Sequence, residues 1–193
     1  MKVALIPCGV SEWRQEGRLM GRVDLELAPE ADAEFDDWVA RLRPTGLTKL
    51  FHAPDGLSRD AARRIGRELN IPVKSLDALA EVDLGLWAGL TNTELKKRYA
   101  KAARQLADSP LNVVPPNGED FKEAADRVRG CLKKRIKPNG KAGVGLVMRP
   151  IAFTLARHAL EGTEPSRLLE TSQAQTDLLI VDAHGVPELV AES

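Results

Sequence analysis

Apolar residues gather in short runs along this chain. Residues 2–6 (KVALI) and 144–148 (VGLVM) are unbroken, and 47–52 (LTKLFH) and 177–181 (DLLIV) are shorter strand-like segments. Continuous runs predict strands buried on both faces of a sheet, since half-exposed strands alternate. Residues 71–73 add a short extended piece, and 188–190 read as a returning strand. Between these runs the apolar positions recur at helical spacing. Phe35, Trp38, Val39 and Leu42 predict a helix that starts at Pro29-Glu30 and ends by Pro44. Ala61, Ile65 and Leu69 predict another, with Ser58 as its cap. Helices are also predicted over 91–106, 121–136 and 151–160.

Strands that alternate with helices predict an α/β fold, a three-layer αβα sandwich around a mainly parallel sheet. In such sheets ligands sit beyond the carboxyl ends of the strands. Those ends are Pro7-Cys8-Gly9, His52-Ala53-Pro54 and Arg149-Pro150, which should therefore be neighbours in space. Residues 109–118 (SPLNVVPPNG) hold three prolines and predict a loop. They fall within an excursion, about residues 76–120, over the site of a single domain spanning 1–193.

Composition changes this picture little. With 43% apolar and 29% charged residues, 193 residues suit one soluble domain. Lys plus Arg equals Asp plus Glu at 28 each, so no net field favours nucleic acid or an anionic membrane. No apolar stretch approaches the roughly 20 residues of a membrane span, and the N-terminal run is too short for a signal peptide. The two cysteines have no CxxC or histidine company. Neither a disulfide framework nor a metal site is expected, and no cofactor is implied. A cytoplasmic location follows as the expectation.

The strand ends sit among further short motifs in a fixed order. Glu12-Trp13, Glu16-Gly17-Arg18-Leu19, Gly21-Arg22 and Pro29-Glu30 follow the first strand. Ala53-Pro54-Asp55-Gly56-Leu57 follows the second. Leu79-Ala80-Glu81, Gly85-Leu86-Trp87-Ala88-Gly89 and Pro116-Asn117-Gly118-Glu119 come next, with Arg127 further along. In this order they resemble the histidine phosphatase (phosphoglycerate mutase-like) superfamily over at least residues 1–160. The resemblance implies phosphoryl transfer through a phosphohistidine, with two arginines and a second histidine on the phosphoryl oxygens and a carboxylic acid protonating the leaving group.

Position by position, the resemblance implies that most of this machinery is replaced. The first arginine is Pro7, the nucleophilic histidine Cys8 and the second arginine Leu57. The second histidine is Arg149, followed by Pro150 where the family has glycine. Glu81 remains at the acid position, and Arg14 stands where the family usually has an asparagine that touches phosphate. Loss of one transition-state donor alone typically costs about 100- to 1000-fold in rate. A catalytically degenerate binding or scaffold protein is therefore expected. It could keep an anion pocket from Cys8, Ser11, Arg14, Arg18, Arg22, Glu81 and Arg149, for a small phosphorylated ligand, an inorganic anion or a protein partner. Since Glu81 and Arg149 flank the same phosphoryl group in the family, they are expected to pair, with the carboxyl held ionised and its pKa lowered.

The alternative is an active phosphomonoesterase. Residues 8–14 fit Cys-x5-Arg, so Cys8 could serve as a thiolate nucleophile with Arg14 and Glu81. Glu12 and Trp13 argue against it, being anionic or bulky in a loop that must wrap a dianion. The remaining candidates have plainer readings. His52 is a polar strand end, Arg157-His158 lies in a helix, His184 lies in a turn, and Cys131 is core. The basic residues Lys133, Lys134, Arg135 and Lys137 suit a helix C-terminus.

Overall fold

The computed structural model describes residues 1–137, 140 and 142–188. Five strands form one sheet in the order β3-β2-β4-β1-β5. They are β1 (Lys2–Pro7), β2 (Leu47–His52), β3 (Val73–Ser75), β4 (Gly143–Met148) and β5 (Leu179–Asp182). The first four are parallel, and β5 runs antiparallel to β1 at one edge. The helices are α1 (Glu12–Gln15), α2 (Ala31–Leu42), α3 (Gly56–Leu69), α4 (Asn92–Arg98), α5 (Ala100–Asp108), α6 (Phe121–Arg135), α7 (Pro150–Glu161) and α8 (Leu168–Ala174).

The unbroken apolar runs are explained by two covered faces. Along β1, Val3 and Leu5 join Phe121, Val128 and Phe153 from α6 and α7. Ala4 and Ile6 point the other way, into Phe35 and Trp38 of α2 and Ile65 of α3. Val3 through Ile6 are fully buried, so neither face of this strand can carry a polar side chain without a partner. The expected αβα sandwich with a mainly parallel sheet is what forms.

Some local expectations are corrected. The N-cap of α3 is Asp55, whose Oδ1 accepts from the Ser58 N–H at 3.0 Å; Ser58 lies inside the first turn. The helix predicted over 91–106 is two helices. The break at Tyr99 (φ −131°, ψ 50°) lets its ring pack on Trp87 with centroids 5.8 Å apart. Strand β3 starts two residues later than read, because Pro72 has no N–H for the ladder. Strand β5 likewise starts at Leu179. Asp177 turns its side chain back, accepting from Trp38 Nε1 at 3.0 Å and the Leu178 N–H at 2.7 Å. Glu188 is irregular rather than strand, and 189–190 lie outside the described residues. Among the described residues no helix is long and apolar enough to cross a membrane.

The segment 76–120 is held at both ends by one side chain. Arg127 of α6 donates from Nη1 to the carbonyls of Ala78 and Ala80, each at 2.9 Å. Its Nε and Nη2 grip the two oxygens of Glu119, each at 3.0 Å. Asp83 accepts from the Glu119 N–H at 2.8 Å beside this clasp. Gly85 sits there at φ +47°, and a side-chain carbon on it would overlap the Pro116 carbonyl oxygen. Replacement of Gly85 by Ala is therefore expected to cost about 2 kcal/mol or more, combining left-handed strain with overpacking. Urea unfolding should show the loss as a lower midpoint.

Candidate functional site

The parallel register brings the predicted strand ends together. Pro7 pairs with Met148 and His52 with Val147, so Cys8, Ala53 and Arg149 follow in adjacent rows. Cys8 is fully buried against Leu57 and Met20, with Trp13, Leu25 and Leu27 around them. Gly9 follows at φ +90°, where a side chain would strike Phe35 and Leu27. Burial, then the charge of Asp55, pushes the Cys8 thiol up to about 12.

Arg149 is fully buried at the N-cap of α7. Its Nη1 donates to the carbonyls of Gly21 and Val23, both at 2.8 Å. Its Nε lies 3.0 Å from Asp55 Oδ1, a close ion pair whose N–H is not aimed for a hydrogen bond. Nη2 has no partner among the described residues. One guanidinium thus joins the end of β4 to the start of α3 and to the loop after β1. The expected pairing with Glu81 is not formed; Asp55 takes that role.

Glu81 is 3% exposed and occupies the N-terminus of α7. Pro150 has no N–H, so the first donors of that helix belong to Ile151 and Ala152. Glu81 Oε2 accepts from Ile151 and Oε1 from Ala152, both at 2.9 Å, and Oε1 also accepts from Val82 at 2.8 Å. These donors and the nearby Arg149 charge favour the carboxylate. Burial outweighs them and raises the pKa from 4.5 to about 7. The expected lowering is therefore corrected: Arg149 is too weakly coupled to offset the loss of water.

The other predicted residues are divided. Arg14, Arg18 and Glu81 line one small cavity of about 30 Å³ with Met20, Ile151 and Gln173. Cys8, Ser11, Arg22 and Arg149 do not line it. Ser11 Oγ caps α1 and lies 3.5 Å from Met20 Sδ. Arg14 donates to the carbonyls of Gln175 and Gly9, and Arg18 to Gly89 at 2.9 Å and to Glu16. Arg22 reaches the backbone carbonyl of Glu81 at 2.8 Å and the carboxylate of Glu119 at 2.9 Å. His52 is buried, its Nδ1 2.6 Å from the Ala53 carbonyl. Cys131 lies on the buried face of α6, His158 on α7 and His184 in a bend. Sequence reasoning does not anticipate Asp55 or Gln173. Asp55 carries a usable signal, an aspartate just before a helical pattern, but Pro54-Asp55-Gly56 also reads as a turn.

The Histidine phosphatase superfamily (branch 1) matches residues 3–190, and the chain belongs to that superfamily. It is 25% identical over 167 residues to phosphoserine phosphatase 1 of Hydrogenobacter thermophilus, covering 86% of this chain and 79% of that protein. Among solved structures it resembles Bacillus stearothermophilus YhfR, with TM-score 0.76, 21% identity, and 86% and 83% of the two chains covered. A mycobacterial glucosyl-3-phosphoglycerate phosphatase in complex with VO3 also has TM-score 0.76, at 17% identity, with 94% and 90% covered. These structural likenesses concern the fold.

Two outcomes follow from Arg149 and Glu81. Arg149→Met strands Asp55 in a largely buried place and frees the carbonyls of Gly21 and Val23. It should lower unfolding free energy by about 3–5 kcal/mol, with part regained in Arg149→Met/Asp55→Asn. Denaturant titration of the three proteins checks this. Glu81 binds its proton more tightly in the folded chain than in the unfolded one. Its contribution is fully present below pH 4.5 and is lost as pH rises to about 7. The fall is about 3 kcal/mol. Unfolding free energies at several pH values should show this slope in the native chain and a flatter one in Glu81→Gln.

Proposed function

We propose that this chain is a catalytically degenerate superfamily member, a pseudoenzyme that serves as a binding or scaffold protein. The observation that carries the reading is that the groups at the strand ends are engaged by the chain itself. Arg149 holds two carbonyls and Asp55. Glu81 takes three backbone N–H groups, including the helix-start donors that an incoming anion would use. The cavity beside them, about 30 Å³, has room for about two waters, too little for a phosphoryl group with its ester. Hydrocarbon from Leu57 and Met20 lies against Cys8, where phosphoryl oxygens would need donors.

The alternative, Cys8 as nucleophile with Arg14 and Glu81, is disfavoured by the same geometry. A thiol pushed up to about 12 is thiolate in roughly one molecule in 10⁵ at neutral pH. Arg14 is turned onto two carbonyls rather than toward the sulfur. The residual anion site keeps two of its expected arginines, Arg14 and Arg18, on the small cavity. A phosphorylated ligand or inorganic anion would have to displace carbonyl oxygens from both. The two unpaired cysteines suit a reducing cytoplasm.

Purified protein should release no more product from a generic aryl phosphate than a buffer blank does, and Cys8→Ala should behave identically. Turnover in the native chain that disappears in Cys8→Ala would establish the enzyme instead. A melting-temperature series with phosphate and sulfate reads the anion site separately: a saturable rise that Arg14→Gln/Arg18→Gln removes would assign it there.

A further inference from the structure

We propose that a groove between α4, α5 and the start of α8 binds a small amphipathic anion, an acidic head on a hydrocarbon body. The site is separate from the strand-end site and does not rest on the loss of catalysis; the two share Leu169 as a wall. The groove encloses about 480 Å³, within the roughly 300–1,000 Å³ of small-ligand sites. Leu95, Ala103, Leu106 and Leu169 give it an apolar lining. Such a surface favours a hydrocarbon occupant, since water in it forgoes hydrogen bonds.

The rim supplies the sign of the head group. Lys96 is neutralised by Glu170 at 3.1 Å. Arg104 and Arg167 also border the groove, and among the described residues neither guanidinium has an acidic side chain within 4.0 Å or a hydrogen-bond partner. Two uncompensated cations beside an apolar floor complement an anion with an apolar body. Each planar guanidinium also offers paired N–H donors that two oxygens of a carboxylate or a sulfate can accept side by side.

The backbone of Arg167 is fixed at the edge of the groove. It has φ 48° and ψ 39°, a left-handed conformation that a side chain with a β-carbon disfavours. Its N–H donates to the Ala107 carbonyl at 3.1 Å, which ties the start of α8 to the end of α5. The strained residue therefore lies where the two walls of the groove meet. Strain of this kind persists only where the surroundings impose it, and it concentrates at ligand clamps.

Octanoate, octyl sulfate, octan-1-ol, octylammonium and inorganic phosphate, titrated separately into the full chain, test this. Binding is read by calorimetry and by amide shifts in two-dimensional NMR. Octanoate or octyl sulfate should bind saturably and shift amides of α5 and α8. Octan-1-ol, octylammonium and phosphate should each bind at least tenfold more weakly. Arg104→Gln/Arg167→Gln should weaken the anion at least tenfold, and Ala103→Trp, which fills the groove while keeping both charges, should abolish binding. Circular dichroism confirms that each variant is folded. Equal binding of octylammonium, an unchanged affinity in the double variant, or shifts confined to residues outside the groove would overturn the proposal. An anion site at the strand ends would instead respond to phosphate and to Arg14→Gln/Arg18→Gln.

Discussion

Arg149 carries its charge where water does not reach, so its balance has to come from protein atoms. It comes from the Gly21 and Val23 carbonyls and from Asp55, which belong to the loop after β1 and to the cap of α3. A bare guanidinium in this place would be several kcal/mol unfavourable. That penalty holds the three segments together. With the loop drawn in, Met20 lies against Cys8 and Leu57, and the strand ends are covered.

Glu81 completes the arrangement from the other side. Helix starts attract negative charge because their first N–H groups lack partners. Here a carboxylate from the chain fills that role for α7. The guanidinium and the carboxyl group are each satisfied by different neighbours, so they do not need one another. Both side chains act here as internal fasteners between segments of the fold.

Much of this was readable in the residues themselves. The runs 2–6 and 144–148 announce a two-sided sheet because burial on both faces leaves no polar alternation. The ordered motifs around Glu12-Trp13, Gly85-Leu86-Trp87 and Pro116-Asn117-Gly118-Glu119 identify the superfamily, since each marks a turn or packing point of the frame. What the residues do not disclose is pairing across long sequence separation. Asp55 reads as a turn residue and acts as a cap and counter-ion. The expected Glu81–Arg149 contact assumes that two groups near one ligand also touch each other. When backbone groups supply partners for both, that assumption has no physical basis. The Tyr99 break was hidden for a related reason: ring packing on Trp87 overrides the local preference for one continuous helix.

The Arg127 clasp has a consequence for how this chain tolerates change. One side chain fastens residues 78, 80 and 119 to a single point on α6, so the mouth of the intervening segment is a fixed ring. Closure entropy grows only slowly with the length of chain beyond such a ring. Added or lost residues in the exposed stretches between the fastened ends therefore cost closure little, while Glu81 and the buried Leu84, Trp87 and Leu90 tie the inner side of the same segment to the core. Only the outward side of that segment is open to refitting; its inward side is part of the frame.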